Sequence, residues 1–166
     1  MSAQEVLDLD HSVALIVDDW LFEQDPIETF RKGEHNDVPI ISGYNDGEGL
    51  MMVRPASAPS SIREQRDLRL DQLGVLGKEL VDFYVANDAE NIYDKEVDYS
   101  SDSVFIRASR ELGLAGARAG QPDSYLYVFE RNPNNPSQRA SHFMEVPYVF
   151  NNLPMQASRA DGSWRN

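Results

Sequence analysis

Two short apolar runs, each opening onto a polar turn, constrain this chain more than any other feature of its sequence. The first, Asp37-Val38-Pro39-Ile40-Ile41-Ser42-Gly43-Tyr44, is continuous rather than alternating, the pattern of a parallel strand buried on both faces. The second, Ser124-Tyr125-Leu126-Tyr127-Val128-Phe129-Glu130, follows Gln121-Pro122-Asp123 and is aromatic and β-branched, the clearest strand in the chain. A polar turn, Asn45-Asp46-Gly47-Glu48-Gly49, follows the first run, and a loop rich in Asn and Pro, residues 131–138, follows the second. The order strand, acidic turn, helices, strand, loop with a histidine fits the second half of a helix-covered, mostly parallel α/β sheet.

Helical patterns fill the rest. Pro26 to Phe30 forms a helical turn, with Asp25 in the N-cap position and Gly33 ending it. From residue 62 to about 86, Leu68, Leu70, Leu73, Val75, Leu76, Leu80, Val81 and Tyr84 recur three and four apart, and Gly74 and Gly77 divide the stretch into two helices. A third helix is expected over 101–117, capped by Ser101 or Asp102, with Val104, Ile106, Leu112 and Leu114 as its apolar residues. Residues 13–17 read as a short strand or extended segment ending at Asp18-Asp19, 54–61 as an irregular connection and 157–166 as a frayed tail.

At 166 residues the chain is one domain in size. Its 28 acidic against 15 basic residues give a net charge of −13, a field that repels phosphate backbones and anionic membrane surfaces, so neither nucleic acid nor membrane is an expected partner. The absence of Cys excludes disulfides, thiolate metal sites and a cysteine nucleophile. Met1 to Asp10 is polar and acidic where a signal peptide is basic and then apolar. No metal or cofactor is expected: Asp94, Glu96 and Asp98 match no metal loop and read as a solvated acidic face. His11 and His35 read as surface residues, and Trp20, Tyr84, Tyr148 and Phe150 as core.

Loops after the C-terminal ends of parallel strands are where α/β proteins place their chemistry; the turn after the first run holds Glu48, and His142 follows almost at once on the loop after the second. In a serine hydrolase a histidine takes the proton of the nucleophile while a buried carboxylate fixes its tautomer and stabilises the imidazolium. In α/β-hydrolases the chain order is serine, acid, histidine; Glu48 and His142 fit the last two places.

The segment Asn36-Asp37-Val38-Pro39-Ile40-Ile41-Ser42-Gly43-Tyr44-Asn45 leading to Glu48-Gly49 resembles the acid motif of the type-B carboxylesterases, the group that includes the cholinesterases. Ala140-Ser141-His142-Phe143-Met144-Glu145-Val146-Pro147-Tyr148-Val149-Phe150 resembles that family's histidine motif, in which a Glu follows three residues after the histidine. Val17-Asp18-Asp19 before an aromatic residue and the 125–129 strand look familial too, so the resemblance covers about 13–153. It implies the C-terminal portion of an α/β-hydrolase fold across 1–166, hydrolysis of a small-molecule carboxylic ester through an acyl-enzyme, Glu48 as triad acid and His142 as general base and acid. Phe143 and Met144 would border the substrate, and Glu145 would support the loop.

The sequence also departs from that pattern. Gly47 stands where the family usually has Asp, Arg139 where it usually has Gly, and Asp19 where Gly is common; Gly often supplies a positive φ that Arg or Asp adopts at a cost, so altered turns are expected. No Ser has the flanking glycines of Gly-x-Ser-x-Gly, and the Gly-rich oxyanion segment is missing. The nucleophile is therefore expected from an N-terminal half, in cis or as a separate chain, and this polypeptide alone is expected to be nearly inert. The competing expectation is a noncatalytic interaction module that keeps part of the esterase fold. Half of a parallel sheet should also expose an apolar face and a strand edge, predicting a marginally stable or self-associating chain.

Overall fold

In the computed structural model, which describes residues 4, 16–36, 38–118, 124–132 and 134–152, strands β1 (Ile40–Asn45) and β2 (Ser124–Phe129) pair in parallel. Their register runs from Ile40 opposite Ser124 to Asn45 opposite Phe129. His11, residues 13–15, 121–123 and the tail from 157 lie outside the described residues; Ile16 and Val17 are in no strand.

Gly43 faces Tyr127 in this register, and a Cβ on Gly43 would fall 2.4 Å from the Tyr127 ring. The ring occupies the space that only glycine leaves open. Gly43→Ala is expected to cost about 1–3 kcal/mol, read as a lower denaturation midpoint, and to cost less in a Tyr127→Leu background.

The helices begin with α1 (Pro26–Lys32), whose ends follow the sequence closely. The Asp25 carboxylate accepts the Ile27 N–H at 2.8 Å, and Gly33, at φ 71, ends the helix with its N–H donating to the Phe30 carbonyl. Helix α2 (Ile62–Leu73) is capped by Ser61, which accepts the Glu64 N–H at 3.2 Å. A 3-10 turn (Gly74–Leu76) and Gly77, at φ 117, separate it from α3 (Lys78–Phe83). The division into two helices is as expected, but the inward face is not. Gln65, Arg69 and Leu73 are buried, while Leu70, Val75 and Leu76 face solvent; polar partners on the next helix decide the orientation of α2.

That next helix differs most from expectation. Helix α4 (Ile92–Ser101), a π turn (Asp102–Ile106) and α5 (Arg107–Arg118) run on continuously, so Ser101 and Asp102 are interior residues rather than caps. The cap lies upstream, where Asp88 accepts the Asn91 N–H at 3.1 Å. Within α4, Glu96 is buried against Arg69 and only Asp94 of the three carboxylates is exposed. The acidic face is thus split between solvent and a salt-bridged interior.

Helix α5 lies over one side of the strand pair: Ser42 Oγ donates to the Ser109 carbonyl at 3.3 Å and Ser109 Oγ to the Gly43 carbonyl at 3.0 Å. The other side leaves Ile41 76% exposed and Tyr125 61% exposed. Burial of the first strand on both faces is therefore not realised, because the described residues supply one covering layer. Leu73, Val81 and Val85 form the core cluster, with Ile62, Tyr84 and Tyr99 packed around it. Trp20 and Phe150, expected in the core, are exposed; Tyr84 and Tyr148 are half-buried, and so is His35, against the Phe30 ring. Asp19 adopts φ 59, the left-handed region that the family's glycine would enter freely, whereas Arg139 is not among the residues at positive φ. Among the described residues no helix is long and apolar enough to cross a membrane.

Candidate active site

Where β1 ends, the chain turns through Asp46 and Gly47 into a 3-10 turn (Glu48–Met51) that docks on α4. The Gly49 N–H donates to Ser101 Oγ at 2.8 Å, and Ser101 Oγ donates to the Val97 carbonyl at 2.7 Å. A Cβ on Gly49 would lie 2.3 Å from the Val97 oxygen, so the turn sits this close to the helix only with glycine there.

Glu48 is thereby placed inward and is 4% exposed. Its Oε1 accepts the Asn45 N–H at 2.9 Å, and its Oε2 lies 2.5 Å from His142 Nδ1. Both oxygens of the carboxylate are engaged, and the imidazole is held through Nδ1. The tautomer that donates from Nδ1 leaves Nε2 as the acceptor.

The histidine loop is tied to the acid turn by backbone as well. Gly47 N–H donates to the Ala140 carbonyl at 2.9 Å, Ala140 N–H to Asp46 Oδ1 at 2.6 Å, and Asp46 N–H to the Phe129 carbonyl at 3.1 Å. Glu145 accepts from Asn45 Nδ2 at 2.5 Å. It supports the loop by holding the end of β1. The Tyr127 phenol is pushed up from its ordinary value by burial first and then by the nearby Glu145 and Glu48 carboxylates.

Two aromatic rings flank His142: Phe105 at 4.6 Å and Phe143 at 4.1 Å between centroids. Phe143 is 64% exposed and held at φ 68, a costly backbone for a bulky residue. Met144 is half-buried, and its Sδ accepts the Ser141 N–H at 3.4 Å. Phe105 sits in the π turn, a feature that often marks functional sites, and sequence reasoning did not find it: one apolar residue in a helical pattern carries no sign that it will meet a distant histidine. A concavity of about 570 Å³, lined from α2–α3, α4, the π turn and α5, includes neither Glu48 nor His142 in its lining. Among the described residues no group of three or more His, Asp or Glu could hold a metal ion.

The sequence matches the profile of the Carboxylesterase family over residues 2–163. The chain belongs to the carboxylesterase family. It is 28% identical to the para-nitrobenzyl esterase of Bacillus subtilis (strain 168) over 131 residues, covering 78% of this chain and 26% of the relative. It is 29% identical to Lipase 3 of Yarrowia lipolytica (strain CLIB 122 / E 150) over 160 residues, 91% of this chain and 31% of the relative. Among solved structures, one described as PNB esterase superposes with a TM-score of 0.60 at 23% identity, covering 90% of this chain and 29% of that one. The fold is the α/β-hydrolase fold of this family, and the chain spans under a third of the length of these relatives.

Proposed function

We propose that this carboxylesterase-family chain carries the acid and histidine of a serine esterase site, Glu48 as orienting acid and His142 as general base and acid. The nucleophilic serine and the oxyanion hole come from an N-terminal half, in cis or as a separate chain. The observation that supports this is the 2.5 Å contact between His142 Nδ1 and a buried Glu48 carboxylate whose other oxygen is also hydrogen-bonded.

In this reading His142 Nε2 takes the serine proton as the serine oxygen attacks the ester carbonyl, and returns it to the departing alcohol as the acyl-enzyme forms. Water then repeats the sequence and releases the carboxylic acid. The Glu48 carboxylate, held on both oxygens, stabilises the imidazolium that forms in each half-reaction. The substrate class is a small-molecule carboxylic ester, in keeping with relatives named as an esterase and a lipase. Phe143 and Met144 border the bound ester beside the imidazole, against which the Phe105 ring also packs.

The test compares the isolated chain with the chain joined to an upstream segment bearing Gly-x-Ser-x-Gly, each assayed on a short-chain p-nitrophenyl ester. The joined protein is expected to turn over and the isolated chain to stay at the buffer rate. Hydrolysis by the isolated chain that survives His142→Ala would defeat the reading.

A further inference from the structure

The loops that carry Glu48 and His142 meet at Gly47 and Arg139, two of the positions at which this chain departs from the family pattern. A Cβ on Gly47 would lie 2.9 Å from Arg139 Cβ, 2.9 Å from the Ala140 carbonyl oxygen and 2.8 Å from Leu50 Cδ1. At φ −125, Gly47 is not there for a left-handed backbone. It is there for space: a side chain at 47 would press at once on Arg139, on the Ala140 carbonyl and on Leu50.

The Arg139 side chain uses the room it takes. Its Nε donates to the Asp46 carbonyl at 2.7 Å, its Nη2 donates to the same oxygen, and its Nη1 donates to Asp98 Oδ1 at 2.8 Å. Asp98 lies on α4, the helix that also receives the acid turn through Ser101. One guanidinium therefore joins three pieces of structure: the histidine loop that bears it, the turn that carries Glu48, and the helix under that turn. A lysine could not do the same, because the two directions of donation need a planar fork.

We propose that Arg139, anchored on Asp98, is a positioning residue that holds the Glu48–His142 contact. The proposal rests on reading that pair as the acid and base of the site. Arg139 touches no reacting atom. It acts by bracing two loops that also meet through the Gly47–Ala140 backbone hydrogen bond, the Ala140 N–H on the Asp46 carboxylate and the Asn45–Glu145 contact.

The test is proton and nitrogen NMR of the labelled chain joined to its serine-bearing N-terminal half, following the low-field Nδ1–H signal that a short imidazole–carboxylate hydrogen bond gives for His142. Glu48→Gln is expected to abolish it. Arg139→Gly and Asp98→Asn are each expected to move it upfield and speed its exchange with water, and Arg139→Lys is expected not to restore it. Should Arg139→Gly fail to fold, Asp98→Asn, a substitution on a half-buried helix residue, carries the same readout. An unchanged signal in Arg139→Gly and Asp98→Asn, with the Glu48→Gln loss still seen, would overturn the positioning role and leave the pair standing. A signal that also survives Glu48→Gln would overturn the pair and the inference with it.

Discussion

His142→Ala, in the chain joined to a serine-bearing N-terminal half, is expected to lower kcat by about 10⁶-fold, the loss that removing the histidine causes in a serine protease. KM for a p-nitrophenyl ester should change little, because the imidazole acts on the proton rather than on ground-state binding. Glu48→Gln should cost about 10⁴-fold by analogy with the equivalent change in a serine protease, which leaves geometry intact but presents the wrong tautomer. Gln can keep the Asn45 N–H bond through its carbonyl oxygen, yet an amide turned toward Nδ1 cannot accept from it. Because the residues act as a unit, the double variant should be little worse than His142→Ala alone. Steady-state kinetics on the three variants check this, and comparable activity in His142→Ala and the parent would contradict it.

The largest expected effect on stability lies away from the site. Arg69 and Glu96 form an ion pair whose side chains are 1% and 11% exposed. Gln65 completes the network, its Nε2 donating to Glu96 Oε1 at 2.7 Å and to the Ile92 carbonyl at 3.1 Å, while its Oε1 accepts the Ala86 N–H at 2.8 Å. The guanidinium also lies 3.7 Å over the Tyr99 ring and donates to Gln72. Removing one partner leaves an uncompensated charge inside the protein, so Glu96→Ala is expected to cost about 3–5 kcal/mol. That is a large part of the roughly 5–15 kcal/mol that holds a domain together. Replacing both members, Arg69→Met with Glu96→Leu, should be near neutral or stabilising, because neither charge then has to be desolvated. Urea titration of the two variants reads the contrast; a cost below about 1 kcal/mol for Glu96→Ala would mean that water reaches the pair.

The same network explains where sequence patterns stopped being informative. The two strands, the acid turn and the histidine loop were legible because each has a local signature: β1 overlaps the 37–44 run and ends one residue beyond it, β2 falls within 124–130, and both lead to the segments that carry Glu48 and His142. Helix α1 was legible for the same reason, since Asp25, Pro26 and Gly33 act within one turn of themselves. Helices α2 and α4 were not. Hydrophobic periodicity seats Leu70 and Leu76 inside, whereas the buried residues of α2 include Gln65 and Arg69, whose partners stand on α4. Glu96, read as part of a solvated face, is acceptable in the interior only because Arg69 and Gln65 meet it there. The Phe105–His142 contact, the continuation of α4 through a π turn and the clamp from Arg139 to Asp98 likewise join residues far apart in sequence. Nor does any local signature show that Gly47 packs against Arg139, Ala140 and Leu50.

The open face of the strand pair bears on how the chain behaves by itself. Ile41, Tyr125 and Tyr127 lie exposed on a surface of the kind that parallel sheets normally cover. Sedimentation of the isolated chain is expected to show self-association at micromolar concentration, and a monodisperse monomer with cooperative unfolding would contradict that.

Covalent labelling tests most directly whether Glu48 and His142 act on a serine supplied from outside this sequence. A fluorophosphonate probe should leave the isolated chain unmodified. In the joined protein it should attach to the serine of the Gly-x-Ser-x-Gly segment, rapidly with His142 present and far more slowly in His142→Ala. Labelling of a serine within this chain, or labelling of the joined protein at a rate indifferent to His142→Ala, would contradict the account.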